Sequence, residues 1–223
     1  FDCIYCECGF TPGEYEEKVS FPSRADVKMR LEVKLHEMVA NNELPDVITF
    51  AGNGEPTLHP EFAGIIDDTI ALRDEITPNA RIAVLSNATM IHRKSVFEAL
   101  LKIKDNIQKL DSAFEETVKL LDCPKGNFKL SDTIEQLIAF NGKVIIQTMF
   151  VRGSYKGKTI DNTTEEEISA WIDLLRKIKP LQVMIYTIAR DTPIETLEKV
   201  SLEDLNGIAE RVREAGFDVQ VSG

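Results

Sequence analysis

The sequence lacks any long apolar run and any excess of positive charge. No apolar stretch in its 223 residues approaches the roughly 20 residues that a membrane-spanning helix needs. Acidic residues outnumber basic ones by 37 to 26, and the net charge of −11 gives a surface that repels phosphate backbones. These absences argue against a membrane protein and against a large nucleic-acid surface, although a local basic pocket could still bind RNA.

Cysteine is scarce and unevenly placed. The chain has four cysteines, and three of them are Cys3, Cys6 and Cys8. A disulfide framework would spread its cysteines along the chain, so this crowding favours a reducing compartment, the cytoplasm, and metal or redox chemistry.

The remaining composition is that of an ordinary globular protein. Hydrophobic residues make up 43 % of the chain and charged residues 28 %, which argues against disorder. The length suffices for one well-cored domain, and the sequence shows no flexible linker or repeat. We therefore predict a single domain over residues 1–223.

Short apolar runs alternate with amphipathic stretches along the chain. The runs are rich in β-branched and aromatic residues and mostly apolar on both faces, which is typical of parallel strands covered on both sides. They predict strands at residues 47–51, 82–86, 106–110, 144–150, 183–187 and 218–221. Strands that alternate with helices predict βαβ units and an α/β fold. Periodicity leaves open whether the sheet closes into a barrel.

Three helices have clear start signals. Ser23, Thr164 and Ser201 each stand three residues before an acidic residue, the pattern of a helix N-cap. The first helix should bury a stripe at residues 27, 31, 35, 38 and 39, and the second a stripe around Trp171. Shorter helices are predicted over residues 60–74, 92–103, 113–121 and 132–140.

Polar and glycine residues follow five of the predicted strands. Because the carboxyl ends of parallel strands meet at one edge, these residues should share the face where α/β proteins hold ligands. They are Gly52 to Glu55, Ser86 and Asn87, Asp111 and Ser112, Arg152 and Gly153, and Tyr186 and Thr187.

The first residues contain a C-x-x-C pair, Cys3 and Cys6. Such a pair can bind zinc, catalyse a redox step or ligate an iron–sulfur cluster. A zinc ribbon needs a second pair, whereas Cys123 is alone. A thioredoxin-like motif starts a helix, whereas this segment runs on to Gly9 and Pro12. Iron–sulfur ligation is favoured, but the spacing by itself leaves the zinc and redox alternatives open.

A glycine-rich turn, Gly52-Asn53-Gly54-Glu55, follows the strand at residues 47–51. Its glycines let the backbone approach a ligand closely, and Glu55 places a carboxylate just beyond a buried strand. Exposed carbonyl groups beside a carboxylate suit a cationic amine. A plain strand-to-helix turn would also explain the glycines.

Together these two segments resemble the radical S-adenosylmethionine (radical SAM) superfamily, in which C-x-x-x-C-x-aromatic-C holds a 4Fe–4S cluster. The resemblance matches Cys3 and Cys6 to the second and third cysteines and Tyr5 to the aromatic position. It implies that the first cysteine and the first strand of the family lie before Phe1. The implied fold is a partial (β/α)6 TIM-like barrel of parallel strands without its first strand. Cys8 is a poor substitute ligand because it stands so close to Cys6.

The resemblance also implies where S-adenosylmethionine binds. The methionine amino group is expected at the glycine-rich turn, the ribose and carboxylate at the next strand ends, and the adenine beside residues 144–153. Asp111 could equally cap a helix. The implied cofactor-binding residues are Tyr5, Gly52, Asn53, Gly54, Glu55, Ser86, Asn87, Asp111, Gln147 and Arg152.

The implied activity is radical chemistry. An electron donor of the flavodoxin or ferredoxin type would drive cleavage of S-adenosylmethionine to methionine and a 5′-deoxyadenosyl radical. The radical would abstract hydrogen from a substrate that the sequence does not specify: a small molecule, a peptide or RNA. The segment from Arg190 to Pro193 is similar to the branch that contains wyosine-synthesis and molybdenum-cofactor-synthesis enzymes.

Three alternatives remain open at this point. The first is a degenerate barrel that binds S-adenosylmethionine or a partner without radical chemistry. The second is a zinc or redox C-x-x-C module on an α/β domain. The third is a tRNA-modifying enzyme of the wyosine type, against which the acidic surface weighs. Because one thiolate of the motif is missing, we expect the chain as written not to hold a stable catalytic cluster.

Overall fold

The structure is a computed structural model that describes residues 1–10, 20–52 and 54–223. The chain divides into two compact units, one formed by Tyr15–Ile107 and the other by Phe1–Glu14 together with Gln108–Gly223. The single domain over residues 1–223 stays a prediction. Among the helices of the described residues, none combines the length and the apolar character needed to cross a membrane.

Helices and strands alternate in the Tyr15–Ile107 unit. In chain order they are α1 (Arg24–Ala40), β1 (Val47–Phe50), a 3-10 helix (Pro56–Leu58), α2 (Phe62–Ile76), β2 (Arg81–Ser86), α3 (Lys94–Leu100) and the start of β3 (Asp105–Lys109). β1 and β2 pair in parallel, with Val47 opposite Arg81 and Phe50 opposite Val84. The register brings the carboxyl ends of both strands to the same edge.

The other unit contains the remaining elements. They are α4 (Glu115–Leu121), α5 (Leu130–Ala139), β4 (Ile145–Met149), β5 (Val151–Tyr155), β6 (Lys158–Asp161), α6 (Glu165–Ile178), β7 (Gln182–Tyr186), β8 (Leu197–Lys199), α7 (Leu202–Glu214) and β9 (Val219–Ser222). β7 pairs in parallel with both β4 and β9. Trp171 of α6 anchors this core: its ring packs edge-on against Phe150 at 5.4 Å, and its indole N–H donates to the Leu110 carbonyl oxygen at 3.2 Å.

Six strands form one sheet in the order β1-β2-β3-β4-β7-β9. Each of them coincides, to within one residue at either end, with a strand predicted from the sequence. The order follows the chain, as expected when each crossover returns through a helix. The predicted α/β class with six parallel strands is confirmed.

The sequence did not predict a second, antiparallel sheet with the order β6-β5-β8. A single residue, Phe150, lies between β4 and β5, and the strand predicted at residues 144–150 ends before β5 begins. Arg152 and Gly153, expected just beyond a strand, instead lie inside β5. Gly153 has a φ of 132°, and a Cβ there would stand 2.2 Å from the Thr196 carbonyl oxygen, so β5 and β8 approach each other too closely for any side chain.

The three predicted helix caps are confirmed. In each case a hydroxyl oxygen accepts the backbone N–H of the residue three positions on, which satisfies a donor at the helix start. The acceptor and donor pairs are Ser23 with Asp26 at 3.1 Å, Thr164 with Glu167 at 3.3 Å, and Ser201 with Asp204 at 3.0 Å.

The predicted buried stripe of α1 is confirmed in part, and Val27, Leu31 and Met38 are half-buried. Leu35 is buried, whereas Val39 is 42 % exposed. The helix is also held by a polar contact, because the Arg24 guanidinium donates to both carboxylate oxygens of Asp68 at 2.7 and 2.9 Å. Gly64 leaves room for that guanidinium, since a Cβ there would lie 2.4 Å from Arg24 Nη1. Apolar periodicity therefore overestimates how much of this helix is covered within its unit.

Candidate functional site

Cys3 and Cys6 lie on a hydrogen-bonded turn. The Cys6 N–H donates to the Cys3 carbonyl oxygen at 3.1 Å, and the Gly9 N–H donates to the Cys6 carbonyl oxygen at 3.0 Å. Both cysteines are half-buried, whereas Cys8 is exposed. The turn thus offers two neighbouring thiols, which are ligands for soft metals and iron–sulfur clusters.

Backbone pairing and apolar packing fix the position of this turn. The Ile4 N–H donates to the Leu121 carbonyl oxygen at 2.9 Å, and the Asp2 N–H donates to the Asp122 carbonyl oxygen at 3.1 Å. The cysteine segment therefore lies against the end of α4. Around it is a buried apolar cluster made of Ile4, Tyr5, Leu121, Met149, Val151 and Ile160.

The hydroxyl of Tyr5 lies between two buried carboxyl groups. One is Asp111, whose Oδ2 is 2.5 Å from the hydroxyl oxygen, and the other is Asp122. A phenol has one hydrogen and cannot donate to two carboxylates, so one carboxyl group must itself carry a proton. Burial and the neighbouring Asp111 raise the pKa of Asp122 well above its usual range. We therefore assign the proton to Asp122.

Asp111 is the counter-ion of a buried lysine. Its Oδ1 accepts the Met149 N–H at 2.8 Å and lies 3.3 Å from Lys109 Nζ. The ammonium group stands over the rings of Tyr5 and Tyr186, 4.8 and 4.9 Å from their centroids, and donates to the Tyr186 hydroxyl at 2.6 Å. Burial lowers the pKa of Lys109, but Asp111 and Tyr186 raise it by more, so its pKa is raised overall and it stays charged.

The thiol of Cys3 contacts the same group of side chains. Its Sγ lies 3.4 Å from Asp122 Oδ1. Burial raises the pKa of Cys3, so the thiol keeps its proton at neutral pH. A metal that binds Cys3 must displace this proton.

The glycine-rich turn lies in the Tyr15–Ile107 unit. Gly52 and Gly54 have φ values of 129° and 116°, and a Cβ at either position would meet no atom of a described residue within 4 Å. The backbone conformation therefore demands glycine, and open space adjoins the turn, as suits a loop beside a ligand. Asn53, the third residue expected there, lies outside the described residues.

Glu55 joins this turn to the end of β2. Its Oε2 accepts the Asn87 N–H at 2.6 Å, and its Oε1 accepts the Thr57 N–H at 3.0 Å. The structure thus brings together Glu55 and Asn87, two predicted site residues. A carboxylate has about four acceptor positions, and the Thr57 hydroxyl also donates to Oε1, at 2.5 Å, so Glu55 keeps about one position for a ligand. Ser86 Oγ accepts the Ala88 N–H at 3.1 Å and shapes the same strand end.

Two other predicted cofactor residues differ in how far their side chains are engaged. Gln147 is half-buried on β4. Arg152 lies on β5, where its Nη1 pairs with Asp204 at 2.8 Å, so its charge is used within the protein. Arg190, the first residue of the segment that resembles the branch with wyosine-synthesis enzymes, forms an exposed ion pair with Glu7 at 3.0 Å.

The sequence did not predict the cluster of polar side chains next to the cysteine turn, which consists of Tyr5, Lys109, Asp111, Asp122 and Tyr186. Its motifs assigned no site role to Lys109, to Asp122 or to the Tyr186 hydroxyl. Asp122 had one usable signal, an acidic residue directly after the two leucines that end α4.

The side chains near the cysteine turn show which metal ligands the structure provides. Among the described residues, no group of three or more Cys, His, Asp or Glu side chains is arranged to hold a metal ion. Cys3 and Cys6 supply two thiols on one turn, which match two of the three cysteine positions of the radical SAM motif. Their chemistry fits an iron–sulfur cluster, for which thiolates are the usual ligands.

Comparison with known sequences gives distant relatives, and no protein-family model matches the chain. The chain is 28 % identical over 212 residues to a UPF0026 protein from Methanocaldococcus jannaschii, covering 93 % of this chain and 61 % of that protein. It is 28 % identical over 200 residues to a UPF0026 protein from Synechocystis, covering 87 % and 68 %. It is also 26 % identical over 225 residues to a protein named GTPase Obg from Brachyspira hyodysenteriae, covering 99 % and 31 %. The chain therefore spans between about a third and two thirds of these relatives.

The sequence contains no phosphate-binding loop of the form G-x-x-x-x-G-K-[ST]. The sequence contains Gly157-Lys158-Thr159, but Arg152 stands where the pattern G-x-x-x-x-G-K-[ST] requires its first glycine. The three residues also lie at the turn and start of the β5–β6 hairpin, whereas a phosphate loop joins a strand to a helix. Nothing in this segment favours nucleotide hydrolysis.

Comparison with solved structures identifies the fold. The chain matches a radical SAM methyltransferase from Sphaerobacter thermophilus with a TM-score of 0.70 and 15 % identity, covering 99 % of this chain and 61 % of that one. It matches SuiB of Streptococcus suis bound to S-adenosylmethionine with a TM-score of 0.67 and 20 % identity, covering 100 % and 47 %. Archaeal TYW1 gives a TM-score of 0.56 at 12 % identity, covering 90 % and 66 %. The chain has the fold of radical SAM enzymes, as its cysteine and glycine-rich segments predicted.

Proposed function

We propose that the protein is a radical SAM enzyme, which binds a 4Fe–4S cluster and S-adenosylmethionine. The observation that carries this proposal is the Cys3–Cys6 turn with its aromatic Tyr5, in a chain with the fold of radical SAM enzymes. A cluster held there would supply the chemistry of one-electron reductive cleavage of S-adenosylmethionine, with the electron from a flavodoxin- or ferredoxin-like donor, to methionine and a 5′-deoxyadenosyl radical that would abstract hydrogen from a substrate.

The residues of the cysteine turn would hold the cluster. Cys3 and Cys6 are the proposed ligands, and each must lose its thiol proton on binding. Ile4 and Tyr5 are buried in the apolar cluster, so the two sulfur atoms lie on a segment that is packed against the core of its unit. The Tyr5 hydroxyl is engaged with carboxyl groups, so we assign this residue to support of the turn.

The residues after β1 and β2 would bind S-adenosylmethionine. Glu55 offers acceptor capacity to the methionine amino group, and Gly52 and Gly54 leave space for its approach. Asn87 uses its Oδ1 to accept the Thr89 N–H at 3.0 Å, which leaves its amide NH2 group for a ribose or carboxylate oxygen. Ser86 and Gln147 stay candidate contacts. Asp111 and Arg152 are weaker candidates, because their charges are already paired.

The test is S-adenosylmethionine cleavage by the full-length protein. The protein is reconstituted anaerobically with iron and sulfide and reduced with dithionite, and 5′-deoxyadenosine is measured by chromatography. We expect product from the wild type and none from Cys3→Ala or Cys6→Ala. Cys123→Ala is the matched control, since Cys123 is also a half-buried free cysteine but lies outside the motif, and it should keep activity.

Each other outcome has a defined meaning. A well-formed cluster without 5′-deoxyadenosine would refute the radical enzyme and favour a barrel that binds S-adenosylmethionine or a partner. Stoichiometric zinc without iron–sulfur absorbance would refute the cluster and favour a zinc C-x-x-C module. Loss of product in Cys8→Ala with product retained in Cys3→Ala would refute the ligand assignment.

A further inference from the structure

A basic pocket lies at the amino ends of β2 and β3, within the Tyr15–Ile107 unit. Its volume is about 260 Å³. Four cationic residues line it: Arg73, Arg81, Lys102 and Lys104. Its other lining residues in the described part of the chain are Pro78, Asn79, Ala80, Ile82 and Ile103, none of which is acidic. Since acidic residues outnumber basic ones in this chain by 37 to 26, such a lining departs from the overall composition.

The two arginines keep unused hydrogen-bond donors. Arg73 donates from Nε to Asp74 at 2.6 Å and from Nη1 to the Ala80 carbonyl oxygen at 3.0 Å. Arg81 pairs through Nη1 with Asp105 at 2.8 Å. A guanidinium has five N–H donors, so each arginine can also bind a tetrahedral oxyanion.

The two lysines are less restrained. Lys102 pairs with Asp67 at 2.6 Å, but both side chains are about half exposed, so solvent weakens that pair. Lys104 forms no ion pair with any described residue. Both ammonium groups can therefore turn towards a ligand in the pocket at little cost.

Helix ends explain part of this charge but not all of it. Arg73 lies in the last turn of α2, and Lys102 follows α3, so both offset the negative ends of helix dipoles. Arg81 is the first residue of β2, and Lys104 directly precedes β3. Neither of these two is placed to cap a helix, yet both line the same pocket.

We infer that this pocket binds the phosphate group of a small phosphorylated molecule or inorganic phosphate. Arg73, Arg81 and Lys102 each pair with one aspartate, so the pocket offers a ligand the charge of Lys104 and the unused N–H donors of the two arginines, which suit a single oxyanion group. The volume is below that of typical drug-sized sites, so the ligand is small. The pocket is separate from the Glu55 turn, because β2 runs from Arg81 to Ser86, a span of roughly 17 Å at about 3.3 Å per residue.

The inference is tested by isothermal titration calorimetry on the purified protein. Inorganic phosphate and phenyl phosphate are titrated separately, with sodium chloride at equal ionic strength as the reference. Phosphate itself and a phosphate monoester are thereby distinguished. We expect saturable binding of one equivalent of at least one of them, weakened at least tenfold in the double variant Lys102→Gln with Lys104→Gln.

The control removes the same charge from the same unit. Lys28→Gln combined with Arg30→Gln changes two exposed cations of α1, and it should leave the affinity unchanged. Heat no larger than that of sodium chloride, or equal affinity in the pocket variant, would overturn the inference. An equal loss in both double variants would also overturn it, by showing a nonspecific charge effect. None of these outcomes depends on the proposed radical chemistry.

Discussion

The two buried aspartates beside Tyr5 should respond differently to the same substitution. In our assignment Asp111 is an anion that neutralises Lys109, and Asp122 is a neutral acid. Asparagine has nearly the shape of aspartate and no charge. Asp122→Asn therefore preserves the charge at its position, whereas Asp111→Asn leaves a buried ammonium group without its counter-ion.

The expected magnitudes follow from this difference. Removing one partner of a buried ion pair costs about 3–5 kcal/mol, and Lys109 and Asp111 have side chains that are 12 % and 0 % exposed. Changing a neutral hydrogen-bonding group costs about 1 kcal/mol. In a protein of this size, 1 kcal/mol changes the melting temperature by roughly 2–4 °C. We expect a fall of about 6–20 °C for Asp111→Asn and of at most about 4 °C for Asp122→Asn.

The effect of pH gives an independent check on the same assignment. Asp122 has a raised pKa in the folded chain, so above about pH 4 the folded state holds a proton that the unfolded state releases. This contribution to stability is complete at low pH and is lost as the pH rises, by up to about 1.4 kcal/mol per pH unit. Asp122→Asn lacks it. The difference between the free energy of unfolding of the variant and that of the wild type should therefore shift in favour of the variant as the pH rises from about 5 to about 7.

Urea unfolding of the metal-free protein under reducing conditions measures both effects. Asp191→Asn, a change at an exposed aspartate, is the control and should leave the unfolding free energy within about 0.5 kcal/mol of the wild type. If Asp122→Asn costs as much as Asp111→Asn at neutral pH, the proton is not on Asp122. A gap between Asp122→Asn and the wild type that stays constant with pH would refute the assignment on separate grounds.

Two further substitutions test the packing around the site by thermal unfolding. Tyr5→Phe should lower the free energy of unfolding by about 1–3 kcal/mol, because it removes a buried hydrogen-bond donor. Tyr155→Phe, at a residue packed against the same apolar cluster, should lower it far less, because no described residue forms a hydrogen bond with its hydroxyl. Equal losses of stability would show that the Tyr5 hydroxyl does not stabilise the fold through its hydrogen bonds. Gly153→Ala should lower the free energy of unfolding by at least about 3 kcal/mol, because its Cβ would collide with the Thr196 carbonyl oxygen. Gly157→Ala is the control: its φ is also positive, but its Cβ would meet no described atom within 4 Å, so the loss should be about 1–2 kcal/mol. A tolerated Gly153→Ala would mean that β5 and β8 are not held at this distance.

The features that the sequence predicted are those encoded by neighbouring residues. The six strands of the main sheet follow from short apolar runs, and the three caps follow from a hydroxyl and an N–H three residues apart. The second sheet depends on β8, which pairs with β5 although more than forty residues separate Arg152 from Glu198. Its strands have no periodicity of their own to mark them. The burial of α1 was overestimated for the same reason, since a stripe shows which face is apolar but not what covers it.

In the candidate site, too, the sequence predicted local motifs but not the contacts between residues that are distant in the chain. Short motifs identified the cysteine pair and the glycine-rich turn, but Tyr5 stands 106 residues from Asp111 and 117 from Asp122. The sequence left Asp111 between a cofactor contact and a helix cap, and the structure gives it another role, because its oxygens accept from Met149, Lys109 and Tyr5. Which of two carboxyl groups is neutral depends on burial and on where the one lysine lies, and no local pattern carries that information. The aromatic position of the motif thus links the cysteine turn to the end of β3, so a homologue with phenylalanine there should also have changed one of the two aspartates.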